Sequence, residues 1–243
     1  MENQIALITG SGRRLGRRIA IALAEYGFDI VINYNQSKSS ALKTVRDIRK
    51  LGRRCIAVKA DVTKITHVRR LMKETVKTFG KLDVLVNNAA IFPPPIELKR
   101  INETLWDTVI DTNLKSSFLC AQEASTYMIK RKSGKIINIA SLGAYHTWPK
   151  HIPYCVSKAG IVMLTKVLAK ALAPHITVNA VAPGTIIIPN EESSDIIHPS
   201  IEKIPLKKYG MPSDITDMVV FLALSSKYIT GQVIKVDGGA TIS

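Results

Sequence analysis

Tyr154 and Lys158 stand four positions apart in a stretch with helical patterning, so their side chains share one face. A lone tyrosine, with a pKa near ~10, is a reluctant proton donor and acceptor at neutral pH. A neighbouring ammonium favours the tyrosinate and lowers that pKa toward the working range. With seven tyrosines in a chain holding 34 lysines and arginines, this spacing could arise by chance. Ser141 gives it weight. It follows the apolar run Lys135–Ile139, which reads as a strand, and so falls at the carboxyl edge of a sheet. Its hydroxyl can hydrogen-bond a carbonyl oxygen as negative charge develops there, while Tyr154 supplies the proton. The chemistry these residues point to is reduction of a carbonyl.

Such a reduction needs a hydride, and the amino-terminal segment offers a place for its carrier. Thr9-Gly10-Ser11-Gly12-Arg13-Arg14-Leu15-Gly16 lies between an apolar run and an amphipathic helix pattern. Glycines there permit a tight turn and close approach of a pyrophosphate to backbone amides, and the helix amino terminus adds partial positive charge. A nicotinamide dinucleotide is the expected ligand, with Lys158 also placed to hold its ribose. At the end of the second apolar run, Ile32-Asn33-Tyr34-Asn35-Gln36-Ser37-Lys38 contains no carboxylate to bind ribose hydroxyls. Polar side chains with Arg13, Arg14 and Lys38 nearby suit a 2′-phosphate, so NADP(H) is expected. Arg17 and Arg18 read as helix-surface charges without a ligand.

The elements that must position these residues follow from periodicity. Strand candidates are Ile5–Thr9, Phe28–Asn33, Cys55–Lys59, Val84–Asn87, Lys135–Ile139, Thr177–Ala180 and Val233–Val236. Each is nearly continuously apolar, as in a parallel sheet covered on both faces. Between them lie helix patterns, one with Leu15, Ile19, Ala22 and Leu23 on a face and Gly27 at its stop, another from about Ser39 to Leu51 before Gly52. The alternation predicts an α/β fold, a single Rossmann-type doubly wound parallel sheet with helices on both faces. No linker or repeat divides residues 1–243, so one domain is expected. Phe92-Pro93-Pro94-Pro95 reads as a stiff loop. The polar, proline-punctuated stretch from Thr185 to about Pro205, with Glu191, Glu192 and Asp195, reads as a mobile substrate lid.

Composition narrows the classes. The hydrophobic fraction of 46% supports a substantial core and excludes a disordered chain. No signal segment is visible, and no apolar run approaches the roughly 20 residues that span a bilayer, so the cytoplasm is expected and no membrane contact. Cys55, Cys120 and Cys155 form no ligand pattern; they read as reduced packing thiols, with no metal site. The net charge of +15 concentrates between Lys38 and Lys81, where cations interleave with apolar residues as on solvated faces. An acidic partner is the second reading of that charge, and without a recognition motif no nucleic acid is expected.

Thr9–Gly16, Asp61, Asn87-Asn88-Ala89-Ala90, Asn113, Ser141, Tyr154, Lys158, Pro183-Gly184 and Asp237-Gly238-Gly239 resemble, in order and spacing, the short-chain dehydrogenase/reductase family over essentially the whole chain. The resemblance implies that Asp61 contacts the adenine, that Asn87–Ala90 braces the cofactor, and that Asn113 completes a tetrad through a water linked to Lys158. It also implies that Pro183-Gly184 lets the backbone approach the nicotinamide. The candidate catalytic set is then Asn113, Ser141, Tyr154 and Lys158. Candidate cofactor contacts are Gly10, Gly12, Arg13, Arg14, Leu15, Gly16, Asn35, Ser37, Asp61, Val62, Asn87, Ala89, Tyr154, Lys158, Pro183, Gly184, Thr185 and Ile186. Two positions depart from the family's pattern: Ala90 and Arg14 each stand where a glycine is usual.

Arg14 in its turn, Leu172-Ala173-Pro174 and Val178–Gly184 are similar to the pteridine reductase branch, many members of which carry Asp at the place of Ser141. Asn138-Ile139-Ala140-Ser141 is similar instead to 3-oxoacyl-acyl-carrier-protein reductases, as is the basic Lys132 near the position those enzymes use to dock their carrier. A 3-oxoacyl thioester is therefore the first substrate expected, with an acyl carrier protein as possible partner. A dihydropterin is the alternative substrate, and a non-catalytic NADPH-binding regulator the alternative from another class. Helices near Leu105–Met128 and Cys155–Ala173 are apolar enough to pair between subunits, and the family's homotetramer is expected.

Overall fold

The computed structural model describes residues 3–189, 200–224 and 228–242. Seven parallel strands form one sheet: β1 (Ile5–Ile8), β2 (Asp29–Tyr34), β3 (Cys55–Lys59), β4 (Val84–Asn87), β5 (Gly134–Ile139), β6 (Ile176–Pro183) and β7 (Val233–Val236). Their spatial order is β3-β2-β1-β4-β5-β6-β7. The order reverses between β1 and β4, the switch point outside which open α/β sheets bind ligands. The helices are α1 (Arg14–Glu25), α2 (Lys38–Lys50), α3 (Ile65–Phe79), α4 (Glu103–Ile110), α5 (Ser116–Lys130), α6 (Ile152–Leu172) and α7 (Pro212–Leu224).

Every residue of β1, β2 and β4 is buried, which is why their sequences run apolar without alternation. On one face of the sheet, Ile19 and Leu23 of α1, Ile48 of α2 and Val219 of α7 pack into one cluster. On the other, Val68, Leu71 and Met72 of α3 join Cys120 and Met128 of α5. Burial pushes the thiols of Cys55 and Cys120 up to about 12, as suits packing residues. Gly27, at φ +94°, and Gly52, at φ +75°, turn the chain in the left-handed region just beyond α1 and α2.

The differences from the sequence expectation lie at boundaries. β6 runs on to Pro183, because Val181 pairs with both Ile139 and Ile234. α2 covers Lys38–Lys50, one residue earlier at each end. Phe28 is buried but precedes β2, whose first residue, Asp29, is a buried carboxylate held by the backbone N–H and Nε of Arg54. Arg17 is not a free surface charge: it pairs with Asp47 at 2.7 Å and is half-buried, as is Arg18. Of the expected lid, residues 190–199, with Glu191, Glu192 and Asp195, lie outside the described residues. Its start is held where Gly210 donates to the carbonyl of Thr185 and accepts from the N–H of Ile187.

A buried polar chain binds the elements that carry the site. Asn87 on β4 donates to Oδ1 of Asn138 on β5 at 2.9 Å, and Asn138 donates to Oγ1 of Thr165 on α6 at 2.9 Å. Replacing Asn138 by Leu strips Asn87 and Thr165 of that partner, so Asn138→Leu is expected to lower stability by about 1–3 kcal/mol in urea unfolding. An unchanged midpoint would remove the chain from the account.

Candidate active site

The carboxyl ends of the strands open into a cleft of about 1640 Å³. Typical small-molecule pockets occupy ~300–1,000 Å³, so this one has room for a dinucleotide and a second ligand together. One end is built by the turn after β1. The side chain of Asn33, at the end of β2, accepts from the N–H of Gly10 at 3.1 Å and donates to the carbonyl of Ala60 at 3.0 Å. Thr9 Oγ1 accepts from the N–H groups of both Asn88 and Ala89, and Asn88 donates back to the carbonyl of Thr9 at 2.9 Å. The ends of β1, β2, β3 and β4 are thereby locked together around the turn. A side chain at Gly16 would bring its Cβ within 2.6 Å of the Gly10 carbonyl oxygen, so that glycine is fixed by packing.

Whether this end fits an anionic dinucleotide can be judged from its helices. α1, α2 and α3 all begin at the cleft, and none has a side-chain cap or a carboxylate in its first turn. Cations stand there instead: Arg13 and Arg14 at the start of α1, Lys38 at that of α2 and Lys64 at that of α3. A carboxylate near a helix amino terminus stabilises by ~0.3–1 kcal/mol, and a cation destabilises similarly. Of the other helices, Asn102 caps α4 before Glu103 and α7 has Asp214 in its first turn, whereas α5 and α6 start with neither a side-chain cap nor a first-turn carboxylate. Uncapped helix starts, added cations and room for a dinucleotide fit a phosphorylated ligand.

Arg14 occupies this turn at φ +52°, the left-handed region that favours glycine. The family's usual glycine there and the strain of Arg14 have the same cause.

At the other end, Ser141 follows β5 and caps a short 3-10 turn, Leu142–Ala144, accepting from the N–H of Gly143 at 3.1 Å. Tyr154 and Lys158 lie in the first two turns of α6, whose start is favoured by Pro153. The Tyr154 phenol lies beside Ser141. Burial nevertheless pushes the Tyr154 phenol up to about 12, with the Ser141 contact working in the other direction. Burial also brings the Lys158 ammonium down to about 8. The expected lowering of the tyrosine by the lysine is therefore not the balance struck here. Lys158 Nζ donates to the carbonyl of Ile139 at 2.8 Å and lies 5.8 Å from the centre of the Tyr154 ring, and both groups have lost water.

Asn113 sits in a π-helical turn, Asp111–Lys115, between α4 and α5. Such bulges frequently mark functional sites. Its side chain accepts from the N–H of Ile91 at 2.8 Å and donates to the Ile91 carbonyl and to Ser157 Oγ. It thus ties the loop after β4 to α6 and does not line the cleft.

Of the expected residues, Gly10, Arg13, Arg14, Leu15, Gly16, Asn35, Ser37, Asp61, Val62, Ala89, Ser141, Tyr154, Lys158, Pro183, Gly184 and Ile186 line the cleft. Gly12, Asn87 and Thr185 are not among its lining residues. Gly12 lies against α2, where a Cβ would come within 2.9 Å of Ser37 Oγ, and Asn87 faces Asn138. Sequence reasoning missed Lys64, the brace made by Asn33 and Asn88, and an aromatic wall. In that wall Phe92 stacks on His151 with centroids 4.5 Å apart and meets Tyr154 edge-on at 4.6 Å, while Trp148 lies nearly parallel to Tyr154. The Phe-Pro-Pro-Pro run was the available signal.

Fold and site define a nucleotide-dependent oxidoreductase. A family model described as enoyl-(acyl carrier protein) reductase matches residues 10–241. The chain is 45% identical over 241 residues to the 3-oxoacyl-[acyl-carrier-protein] reductase FabG of Staphylococcus epidermidis, covering 98% of each. It is 42% identical over 239 residues to the 3-oxoacyl-[acyl-carrier-protein] reductase of Synechocystis, covering 97% of this chain and 96% of that one. Among solved structures, acetoin dehydrogenase from Enterobacter cloacae superposes with a TM-score of 0.90 at 32% identity, covering 100% of this chain and 96% of that one. The chain belongs to the short-chain dehydrogenase/reductase family, and it is an enzyme with a nicotinamide cofactor.

Two measurements on the cofactor-free protein check this geometry. A left-handed non-glycine residue costs roughly 1–2 kcal/mol, partly offset by the chain entropy a glycine adds when unfolded. Arg14→Gly is thus expected to raise stability by roughly 0.5–1 kcal/mol in urea unfolding, and a loss of stability would contradict the strain assigned to Arg14. The second concerns pH. Between about 8 and the ordinary lysine value of 10.5, the unfolded chain protonates Lys158 and the folded one does not. Stability from this group therefore rises as pH rises from about 8 toward 10.5. Lys158→Met should flatten that part of the stability–pH curve relative to the wild type, and parallel curves would contradict the burial of the amine.

Proposed function

We propose that this enzyme is an NADPH-dependent reductase of 3-oxoacyl thioesters carried on an acyl carrier protein, with Tyr154 as proton donor. The observation that carries the reading is the juxtaposition of Ser141, Tyr154 and Lys158 at one end of a cleft whose other end is cationic. The 3-oxoacyl-[acyl-carrier-protein] reductase names of its relatives support the substrate class.

Bound reduced nicotinamide supplies the hydride. The remaining work belongs to the chain. Ser141 turns its hydroxyl to the substrate carbonyl oxygen and stabilises the charge that grows there. Tyr154, kept protonated by burial, gives its proton to the same oxygen. Lys158 lies on the same helix face and stabilises the tyrosinate left behind, and it also holds the nicotinamide ribose. Asn113 positions these groups by fixing the loop after β4 against α6. Arg13, Arg14 and Lys64 would hold the 2′-phosphate, and the β2 edge, Asn33 to Ser37, has no carboxylate to repel it.

A dihydropterin is the second reading, favoured by one observation. The stacked Phe92–His151 pair beside Tyr154 offers a flat face suited to an aromatic ring. For the assembly, exposed Phe118 on α5 and Met163 and Val167 on α6 support the homotetramer expected from the family. No helix among the described residues is long and apolar enough to cross a membrane.

Spectrophotometric oxidation of NADPH decides between the substrates. Faster oxidation with an acetoacetyl thioester than with a dihydropterin is expected, and oxidation unaffected by the thioester would overturn the proposal. Tyr154→Phe should lower turnover by ~10²–10⁴-fold while NADPH affinity stays within about twofold. Unimpaired turnover would remove Tyr154 from the chemistry.

A further inference from the structure

From Lys38 to Lys81 the chain carries fourteen lysines and arginines against three carboxylates, +11 of its net +15. In the fold this segment is one flank: β3 is an edge strand, α2 packs on one face of the sheet and α3 on the other. Twelve of the fourteen cations are exposed, and none of the three carboxylates is. Asp47 pairs with Arg17, Asp61 accepts from Thr63, and Glu74 is half-buried. Every exposed charge of the flank is thus positive. Ordinary soluble surfaces intersperse both signs, and guarding an edge strand takes only a charge or two.

The flank is joined to the cleft. Ser37, just before α2, and Lys64, just before α3, both line it. Both helices run away from its mouth, α2 for about 20 Å and α3 for about 22 Å at 1.5 Å per residue. Arg13, Arg14 and Lys64 at the cleft thus adjoin the cations of the flank. A dinucleotide approaching the mouth moves down this field, and a 2′-phosphate adds roughly 1.5–2 negative charges to what the field acts on.

We propose that the α2–β3–α3 flank is an electrostatic collector that selects the 2′-phosphorylated dinucleotide over the unphosphorylated one by its rate of association. The proposal rests on the NADPH reading above and adds to it. Contacts in the cleft set how long a cofactor stays, and the flank sets how fast the right one arrives. Screening makes the claim resolvable in distance. The Debye length is ~30 Å at 0.01 M salt, spanning the flank, and ~3 Å at 1 M, shorter than a single helix turn.

The test is stopped-flow binding of NADPH and of NADH to the substrate-free enzyme, followed by nucleotide fluorescence at these two salt concentrations. The variant combines Arg46→Gln, Lys73→Gln and Lys77→Gln, three exposed cations that do not line the cleft. In the wild type, NADPH association is expected to fall at least about tenfold from low to high salt, and NADH association by less. At low salt the variant should bind NADPH at least about threefold more slowly than wild type, with dissociation unchanged. At high salt the two proteins should coincide. Equal association rates at low salt, or a change confined to dissociation, would overturn the collector. Equal NADPH and NADH affinities at high salt would instead overturn the contact reading at the β2 edge. Absence of NADPH binding overturns both.

Discussion

Three helices start at one edge of this sheet without a side-chain cap, and cations stand where carboxylates would stabilise them. Left to itself that arrangement is unfavourable, because like charges meet at the helix ends and no side chain caps them. An anion in the cleft resolves it. The remainder of the architecture serves to hold those ends together. Asn33, Thr9 and Asn88 lock the strand ends, and Gly16 permits the close packing of turn on strand. The strained Arg14 places a guanidinium where a glycine would sit more easily. The cost to the protein alone is the signature of a ligand that repays it.

The opposite end of the cleft works by burial rather than by exposed charge. Removing water raises the Tyr154 phenol and lowers the Lys158 amine, so each is held in its neutral form more readily than in solution. A phenol held protonated in this way suits the donor role proposed for Tyr154. Ser141 stands beside that phenol, and the Ile139 carbonyl holds Lys158 in place. The two ends are linked through β4, β5 and α6 by the buried Asn87–Asn138–Thr165 chain and by Asn113. The cationic end of the cleft and Tyr154 therefore sit on one frame.

Much of this was legible in the sequence, for a physical reason. Parallel strands buried on both faces read as short apolar runs, and helix geometry ties Tyr154 to Lys158 by spacing alone. Ser141 and the glycine turn were found because each adjoins such a run. The parts that escaped depend on approach between distant segments. Asn88 braces Thr9 across 79 positions, and Phe92 meets His151 only after the loop beyond β4 folds over α6. Lys64 looked like one more cation until the fold placed it at the cleft. The lowering of Tyr154 expected from Lys158 is not found, because burial, which spacing cannot reveal, raises the phenol. β6 outran its expected end because its last residues pair with β7, a partner about 50 residues on.

The central claim is that a cofactor held at the cationic end delivers hydride to a carbonyl polarised by Ser141 and protonated by Tyr154. Its most direct test is label transfer: NADPH deuterated at the reactive nicotinamide position, incubated with enzyme and an acetoacetyl thioester, followed by mass spectrometry of the product. The account expects one deuterium on the carbon that was the 3-oxo carbon of the resulting 3-hydroxyacyl thioester. A product without that deuterium, or no 3-hydroxyacyl product at all, would contradict it.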